Sequence, residues 1–533
     1  MLEPEEAPVD RESMVSRLEA EPRSWDVLVI GGGASGLGCA IESASRGYRT
    51  ALFEAADFAR GTSSRSTKLV HGGVRYLKQG NVSLVLEALK ERGLLRRNAP
   101  HVVSELPFVV PSYDWWEAPF YGIGLRLYDM LAGKLGFGPS RNLSKEETLE
   151  LLPTIETRGL RGGVIYYDGQ FDDARLAIEL ASTAASQRAV VLNYAPVVRL
   201  VKKSDVVRGL VARDEETGRE IAVEGKVVVN ATGPFTDSVR RLDEADHQPI
   251  LRPSQGVHIV LPREFLPGTS AFMVPHTDDG RVLFAIPWQG RVVVGTTDTP
   301  IEEVPFEPVP LPEEIDFLLE HTARYLTKDP GRSDILSAFA GIRPLAGAGS
   351  SNGGGETAAI SRDHTVHISR SGLVTLAGGK WTTYRKMAED AIDQAALVAE
   401  LEERPSVTAE LRIHGYHPDP SSFGGLARYG TEAPSVAALL REDPRYEEKM
   451  HPALEVKAGE VVWAARREMA RTVEDFLSRR TRALLLDARS ALAAAPSVAG
   501  LLAETLGKSE EWRRAQIRDF ERVGRNYIPA AAI

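Results

Sequence analysis

The residues best suited to chemistry lie in one short segment, residues 62–77. It brings Lys68, His71 and Arg75 close together in sequence, with two glycines between the histidine and the arginine. Cationic side chains bind anions through charge-assisted hydrogen bonds, and glycine lets the backbone approach a ligand closely. The segment therefore predicts a pocket for a small anionic substrate.

A glycine-rich motif lies before this segment. Gly31-x-Gly33-x-x-Gly36 follows an apolar run that predicts a strand, Asp26–Ile30, and opens a run of helical composition, Ala34–Arg46. Thr50–Phe53 predicts a second strand, which ends at Glu54. Such a βαβ unit binds a pyrophosphate at the glycine turn and a ribose hydroxyl at the carboxylate. A purely structural turn would not require the carboxylate, so we predict a dinucleotide site.

The motif alone does not separate FAD from NAD. The segment Asp57–Thr67, which follows directly, is a polar loop rich in small residues. A nicotinamide enzyme usually continues its parallel sheet with short loops, whereas extended FAD can lie along such a loop. This favours FAD.

Two later segments repeat the junction of a strand with glycines. Val227–Asn230 runs into Gly233, and Leu373–Ala377 runs into Gly378 and Gly379, with a helix expected from Thr382 or Thr383 to about Ala399. One parallel sheet can hold all these strands if other segments are inserted between them.

The inserted segments have a different pattern. Residues 251–299 contain three strand-like runs with turns at Asp279-Gly280 and Gln289-Gly290, which is typical of antiparallel sheet. Beyond residue 400 we expect a helical domain. Five apolar residues there recur at helical spacing and predict one buried face, namely Val461, Ala465, Met469, Val473 and Phe476. The predicted division is 1–23, an N-terminal extension; 24–90, 170–245 and 335–399, FAD-binding; 91–169 and 246–334, substrate-binding; and 400–533, helical.

Composition excludes several classes of protein. The 533 residues carry a net charge of −10, which argues against nucleic acid as the main partner. The single cysteine, Cys39, cannot form an intrachain disulfide. No apolar run reaches the roughly 18 residues of a membrane-spanning helix, and we find no metal-ligand spacing. Residues 1–23 have no apolar signal-peptide core, and we expect a mobile or loosely docked extension.

The chain resembles the FAD-dependent glycerol-3-phosphate dehydrogenases, the respiratory, membrane-associated kind. The resemblance covers about residues 24 to 490 in order. It is carried by these segments: Ile30–Gly36, Thr62–Ser64, Lys68–Tyr76, Asp172–Arg175, Asn230–Pro234, Gly295–Asp298, Gly341–Leu345, Ser361–Asp363, Gly378–Arg385, Ala458–Trp463 and Arg479–Arg482.

The resemblance implies an α/β protein with a glutathione-reductase-like FAD-binding fold of the amino-acid-oxidase type. An antiparallel β substrate domain and a C-terminal helical domain complete that fold. The implied reaction oxidises sn-glycerol 3-phosphate to dihydroxyacetone phosphate by hydride transfer to FAD, and the electrons pass to a membrane quinone. The implied location is the cytoplasm, peripherally on the inner face of the cell membrane, and a homodimer is possible.

The resemblance and the motif together give the candidate site residues. The predicted cofactor contacts are Gly31, Gly33, Ala34, Ser35, Gly36, Glu54, Thr62, Ser63, Ser64, Lys68, His71, Gly72, Gly73, Ala231, Thr232, Gly233, Gly379, Lys380 and Thr382. The predicted substrate contacts are Arg75, Tyr76, Arg343, Arg362, Lys380 and Thr382, and the predicted catalytic residues are His71, His258, Arg343 and Lys380.

The chemistry assigns these residues provisional roles. Arginine binds a phosphate dianion through paired donors, and we favour Arg75 and Arg362 for it. Arg343 and Lys380 are expected nearer the reacting oxygen. His71 or His258 is the base or a flavin neighbour, because histidine titrates near neutral pH.

Aromatic and apolar residues crowd into residues 115–137, with Arg126 and Lys134 among them. This suits either a membrane interface or a core of the substrate domain.

Three other functions share some of these motifs. The first is a glycerol-3-phosphate oxidase that uses oxygen, and the second is another FAD oxidoreductase of the amino-acid-oxidase class. The third is a non-catalytic flavin-binding subunit.

Overall fold

The computed structural model describes residues 10–20, 24–73, 81–115, 117–274, 277, 282–347 and 363–530. Within these residues the strands form two sheets. The first sheet consists of β1 (Trp25–Ile30), β2 (Thr50–Phe53), β7 (Val190–Leu192), β8 (Val197–Lys203), β9 (Val206–Arg213), β10 (Glu220–Asn230), β17 (His364–Ile368) and β18 (Val374–Gly378). The second consists of β3 (Leu69–Val70), β4 (Val103–Ser112), β5 (Arg141–Leu143), β6 (Gly162–Phe171), β11 (Leu251–Pro262), β12 (Ala271–Val274), β13 (Leu283–Trp288), β14 (Arg291–Gly295), β15 (Thr299–Pro300) and β16 (Ser337–Ala346).

The α-helices of the described residues surround these sheets. They are Arg11–Ala20, Ala34–Ser45, Val82–Asn98, Glu117–Ala132, Lys145–Leu151, Asp173–Ser186, Thr236–Asp243, Pro312–Ala323, Tyr384–Val398, Ala433–Glu442, Ala458–Arg467, Ala483–Leu486, Ala488–Leu506 and Glu510–Arg525. No helix in the described part of the chain is both long enough and apolar enough to cross a membrane.

The centre of the first sheet is parallel, in the order β18-β10-β1-β2-β7. Val27, Leu28 and Val29 of β1 are fully buried, and they share one core cluster with residues of the helices Ala34–Ser45 and Tyr384–Val398. The helices Ala34–Ser45 and Tyr384–Val398 approach closely at Gly38, where an added Cβ would lie 3.0 Å from the Tyr384 ring. The predicted parallel sheet is therefore confirmed.

The second sheet is mostly antiparallel, as predicted for residues 251–299. Neighbouring residues of β11 face opposite sides of it. Ile259 packs in a cluster with the helix Pro312–Ala323, whereas Val260 packs with the C-terminal helices. Strand β16 pairs with β11 along ten residues, Ser337 to Ala346. Strand β16 therefore lies in the antiparallel sheet, although the predicted division assigned residues 335–399 to the FAD-binding domain. The predicted division of the chain into domains otherwise stays a prediction.

The predicted single helical face between Val461 and Phe476 is wrong. One helix ends at Arg467, Met469 has a left-handed φ of 51°, and a new helical segment runs from Asp475 to Arg480. All five residues of the pattern are buried. Two short helices that share a core give the same burial pattern as one long helix.

The predicted loose docking of the N-terminal extension is wrong for residues 11–20. This helix buries Met14 and Leu18 in the core of the parallel sheet. Arg11 forms an ion pair with Asp214 at 2.5 Å and donates to the carbonyl oxygen of Asn193.

Candidate functional site

A cavity of about 330 Å³ lies at the carboxyl ends of β1, β2, β10 and β18. Ligands of open α/β sheets bind at this edge. Twelve of the predicted cofactor contacts line the cavity: Gly31, Gly33, Ala34, Ser35, Glu54, Thr62, Ser63, Ala231, Thr232, Gly233, Gly379 and Lys380.

The glycine turn after β1 leaves no room for side chains. Gly31 has a φ of 109°, and an added Cβ there would lie 2.6 Å from the carbonyl oxygen of Ala231. At Gly36 it would lie 1.9 Å from the carbonyl oxygen of Gly31. Gly36 itself does not line the cavity; its role is to let the helix Ala34–Ser45 pack against the turn. The amides of this turn and the helix N-terminus suit a pyrophosphate, so these residues fit FAD.

Glu54 stands at the end of β2 with its carboxylate held by the backbone. The amides of Gly32 and Ala56 donate to its two oxygens, the second at 2.9 Å. Burial raises the pKa of this carboxyl, while the hydrogen bonds from Ala56 and Gly32 act in the opposite direction. The remaining lone pairs can accept ribose hydroxyl groups.

The loop after Glu54 forms another wall. Ser63 Oγ accepts a hydrogen bond from the amide of Ala34 at 2.9 Å, and Thr62 donates to the carbonyl oxygen of Ile342. Trp381 Nε1 donates to the carbonyl oxygen of Ser63 at 2.9 Å. Trp381 was not among the predicted contacts, although its position next to Lys380 could have suggested it.

A second cavity of about 190 Å³ shares part of its wall with the first. Six residues line both: Thr62, Pro344, Gly378, Gly379, Lys380 and Trp381. The second cavity adds four predicted site residues, His71, His258, Arg343 and Thr382. The structure therefore brings distant parts of the sequence together around one space next to the cofactor cavity.

His258 is buried with one hydrogen bond. Its Nε2 lies 2.9 Å from Thr67 Oγ1, and its ring stacks on Phe339 with the centroids 4.9 Å apart. Burial lowers the pKa of His258 well below its ordinary value of 6.5, and the charges of Lys68 and Arg343 lower it further. The imidazole is therefore neutral near pH 7.

Space for this ring comes from the paired strand. His258 lies opposite Gly295 in the pairing of β11 and β14. An added Cβ at Gly295 would lie 2.1 Å from His258 Cδ2. Thr67 and Gly295 are site residues that sequence reasoning missed; Thr67 lies in the predicted segment, but the role of Gly295 depends on strand register.

Arg343 lies across Gly256, where an added Cβ would come within 2.4 Å of its Nη2. Its Nη1 donates to Asp298 Oδ1 at 3.1 Å, and its Nη2 donates to Thr296 Oγ1 at 3.0 Å. Asp298 also accepts a hydrogen bond from Ser254. The half-buried guanidinium is thus fixed in orientation beside the cavity.

The segment at His71 is held from two sides. The His71 amide donates to Thr382 Oγ1 at 3.2 Å, and the Gly72 amide donates to the hydroxyl oxygen of Tyr128 at 2.8 Å. Tyr128 in turn donates to Asp168 at 2.9 Å. Gly72 and Gly73 do not line either cavity. The substrate-site predictions for Arg75, Tyr76 and Arg362 lie outside the described residues.

The prediction that the amino group of Lys68 contacts the cofactor is wrong. Lys68 is fully buried, and its Nζ donates to Asp173 at 2.8 Å and to the carbonyl oxygens of Ser64 and Ser66. Burial lowers its pKa to about 8, against the opposing effect of Asp173. Ser64 likewise lines neither cavity. Lys68 and Ser64 are buried and bind each other within the loop, through Lys68 Nζ and the carbonyl oxygen of Ser64.

Comparisons with known proteins agree with this arrangement. Residues 26–385 match the family described as FAD dependent oxidoreductase, and residues 373–513 match the C-terminal domain of alpha-glycerophosphate oxidase. The mitochondrial glycerol-3-phosphate dehydrogenase of Mus musculus is 41% identical over 97% of this chain and 75% of that protein. For its Arabidopsis thaliana counterpart the identity is 43% over 90% of this chain and 82% of that protein.

A solved structure is similar over the whole length. It is the glycerol-3-phosphate dehydrogenase from Bacillus halodurans complexed with FAD, with a TM-score of 0.79, 30% identity and 98% of both chains covered. The fold and the cavities define a flavoprotein oxidoreductase whose cofactor is FAD. Within that class, the chain belongs to the family of FAD-dependent glycerol-3-phosphate dehydrogenases. The predicted family, fold class and cofactor are confirmed.

Proposed function

We propose that this enzyme oxidises sn-glycerol 3-phosphate to dihydroxyacetone phosphate and passes the electrons through FAD to a membrane quinone. The main support is the second cavity, where His258, Arg343 and Lys380 surround one space that shares a wall with the cofactor cavity. A cationic pocket beside a flavin suits an anionic alcohol.

The oxidation removes a hydride and a proton from C2 and its hydroxyl group. Bound FAD supplies the hydride acceptor. His258 is the favoured base, because it lines the second cavity and its imidazole is unprotonated at neutral pH. His71, which lines the same cavity, stays the alternative.

The cations stabilise charge on the substrate. Arg343 cannot lose its proton at any ordinary pH, and its hydrogen bonds to Asp298 and Thr296 hold it in place. We assign it and Lys380 to the oxygen that develops negative charge. Arg75 and Arg362 stay the predicted phosphate ligands.

The helix Glu117–Ala132 is the proposed contact with the membrane. Phe120, Ile123, Leu127 and Met130 follow helical spacing on one face and are exposed, Ile123 by 72% and Met130 by 71%. This set, with Trp115 just before the helix, is called the apolar helix face below. An amphipathic helix with exposed large apolar residues suits the plane of a bilayer interface.

The inner side of the same helix contacts the segment at His71. Tyr128 is buried and accepts the hydrogen bond from Gly72, the residue after His71. A membrane-bound quinone would therefore approach the protein near the two cavities. We propose a peripheral location on the inner face of the cell membrane on this basis. Self-association into a homodimer stays a prediction.

An oxidase that reduces oxygen is the second candidate, because the C-terminal match is to a domain of alpha-glycerophosphate oxidase. The acceptor can be identified by supplying glycerol 3-phosphate with a soluble quinone analogue in air. We expect quinone reduction to match dihydroxyacetone phosphate formation, with only trace peroxide. Peroxide formed in equal amount to the product, with no quinone reduction, would establish the oxidase instead.

A further inference from the structure

Three buried arginines of the C-terminal region hold the loop that lines the cofactor cavity. The loop, residues 57–68, follows β2, and its residues 59–63 form part of the cavity wall. The arginines are Arg479, Arg480 and Arg482, each at most 2% exposed.

Two of them bind the start of the loop. Arg480 donates to both oxygens of Asp57, from Nη1 at 2.6 Å and from Nη2 at 2.9 Å. Arg479 donates from Nε to the same carboxylate. The positive charges of Arg480 and Arg479 lower the pKa of Asp57 although burial acts to raise it. Asp57 is therefore a charged, fully buried anchor.

The third arginine binds the end of the loop. Arg482 Nη2 donates to the carbonyl oxygen of Ser64 at 2.6 Å and to Asp173 Oδ1 at 3.0 Å. The other oxygen of Asp173 accepts from Lys68 Nζ at 2.8 Å. The Asp173 carboxylate thus links Arg482 to Lys68, the last residue of the loop.

The loop backbone requires such support. Ala59 and Lys68 have left-handed φ angles of 61° and 65°. Residues other than glycine rarely adopt this conformation, and it persists only where the surrounding structure holds it. The contacts from the three arginines lie on either side of residues 59–63, and Glu474 of the C-terminal region pairs with Arg60 between them at 3.0 Å.

We infer that Arg479, Arg480 and Arg482 are positioning residues for FAD. They fix both ends of the loop, so that its middle keeps the shape that contacts the cofactor. The C-terminal region is thereby part of the cofactor site without lining it. The inference rests on FAD binding and is independent of the substrate and of the electron acceptor.

Arg471 offers a matched control in the same region. Its guanidinium pairs with Glu216 at 2.6 Å, in the turn between β9 and β10 rather than in the loop. Arg471→Met therefore weakens docking of the C-terminal region without touching the loop. Arg480→Met leaves Asp57 paired with Arg479, and Arg482→Met leaves Asp173 paired with Lys68. No carboxylate loses all of its partners.

The test is the rate at which each purified holoenzyme releases FAD after dilution, followed by the rise in flavin fluorescence. The melting temperature is measured in parallel. We expect Arg480→Met and Arg482→Met to release FAD about tenfold faster or more, and Arg471→Met to release it at the wild-type rate. Arg480→Lys and Arg482→Lys keep the charge but lose a paired donor, and intermediate rates are expected.

Wild-type release rates in all loop-contacting variants, with lowered melting temperatures, would overturn the inference and leave the arginines a docking role only. Equal acceleration in Arg471→Met would overturn it as well. Where a methionine variant does not fold, the FAD release rate of the lysine variant at that position is compared with the wild-type rate instead. Faster release supports the inference, and a wild-type rate overturns it. Flavin reduction by substrate is not a readout here, so failure would leave the proposed function untouched.

Discussion

At the scale of single residues, the second cavity combines a neutral imidazole, the proposed base, with cationic side chains. His258 is kept neutral by burial and by the nearby charges of Lys68 and Arg343. Lys68 does not enter the cavity, since Asp173 holds its amino group. A residue predicted as a cofactor ligand therefore acts on the site through its charge.

This environment predicts an unusual pH dependence. The unprotonated imidazole of His258 is the proposed active form, so activity should persist as the pH falls through 6.5, the ordinary pKa of histidine, and decline only near the lowered pKa of His258. The check is kcat at saturating glycerol 3-phosphate from about pH 5 to about pH 8, because kcat/KM would also report the second ionisation of the substrate phosphate at about pH 6. His258→Gln should lose most activity at every pH.

His367→Gln is the matched control, because His367 is exposed on β17, and its profile should equal the wild type. A wild-type acidic limb with its midpoint at or above 6.5, or full activity in His258→Gln, would exclude His258 as the base.

At the scale of elements, strand register places the proposed catalytic groups. The β11–β14 pairing sets His258 against Gly295, and the β11–β16 pairing sets Ser254 against Arg343. Each bulky side chain lies where a glycine leaves space, Gly295 for His258 and Gly256 for Arg343. A helix beside this sheet, Glu117–Ala132, has one face in the core and the other exposed.

The apolar helix face should determine membrane binding. Replacing Trp115, Ile123 and Met130 with serine removes its three most exposed side chains. We expect the fraction that floats with vesicles of phosphatidylcholine and anionic phospholipid to fall. Partitioning should weaken about tenfold or more, since a buried large apolar side chain contributes about 1.5–3 kcal/mol.

A control with Leu397→Ser and Val407→Ser changes two other exposed apolar residues and should float as the wild type does. Unchanged flotation of the triple variant would show that this helix is not the membrane contact.

At the scale of the whole molecule, local patterns were sufficient for part of the fold. The β1 strand, its glycine turn and Glu54 follow from neighbouring residues, and so do the antiparallel strands around Gln289-Gly290. The buried ion pair of Lys68 does not follow from neighbouring residues, because its partner Asp173 is 105 positions away in sequence. Arg482 is 418 positions from Ser64, whose carbonyl oxygen it binds. Such contacts leave no local pattern.

Local patterns likewise predict part of the candidate site, and distant contacts determine the rest. The residues that line the first cavity were largely predictable, because glycines and a carboxylate at strand ends have few other uses. The orientation of Arg343 and the stacking of His258 on Phe339 were not predictable, because they depend on the register of strands β11, β14 and β16. The break at Met469 was missed because burial alone does not distinguish one helix from two.

The most direct test of the proposed chemistry is anaerobic bleaching of the bound flavin. Purified holoenzyme is mixed without oxygen with glycerol 3-phosphate, with glycerol or with an amino acid, and the loss of oxidised flavin absorbance is followed. The account predicts rapid, complete bleaching by glycerol 3-phosphate and little by the other two, since the cationic pocket requires the phosphate. Bleaching by an amino acid, or equal bleaching by glycerol, would contradict it.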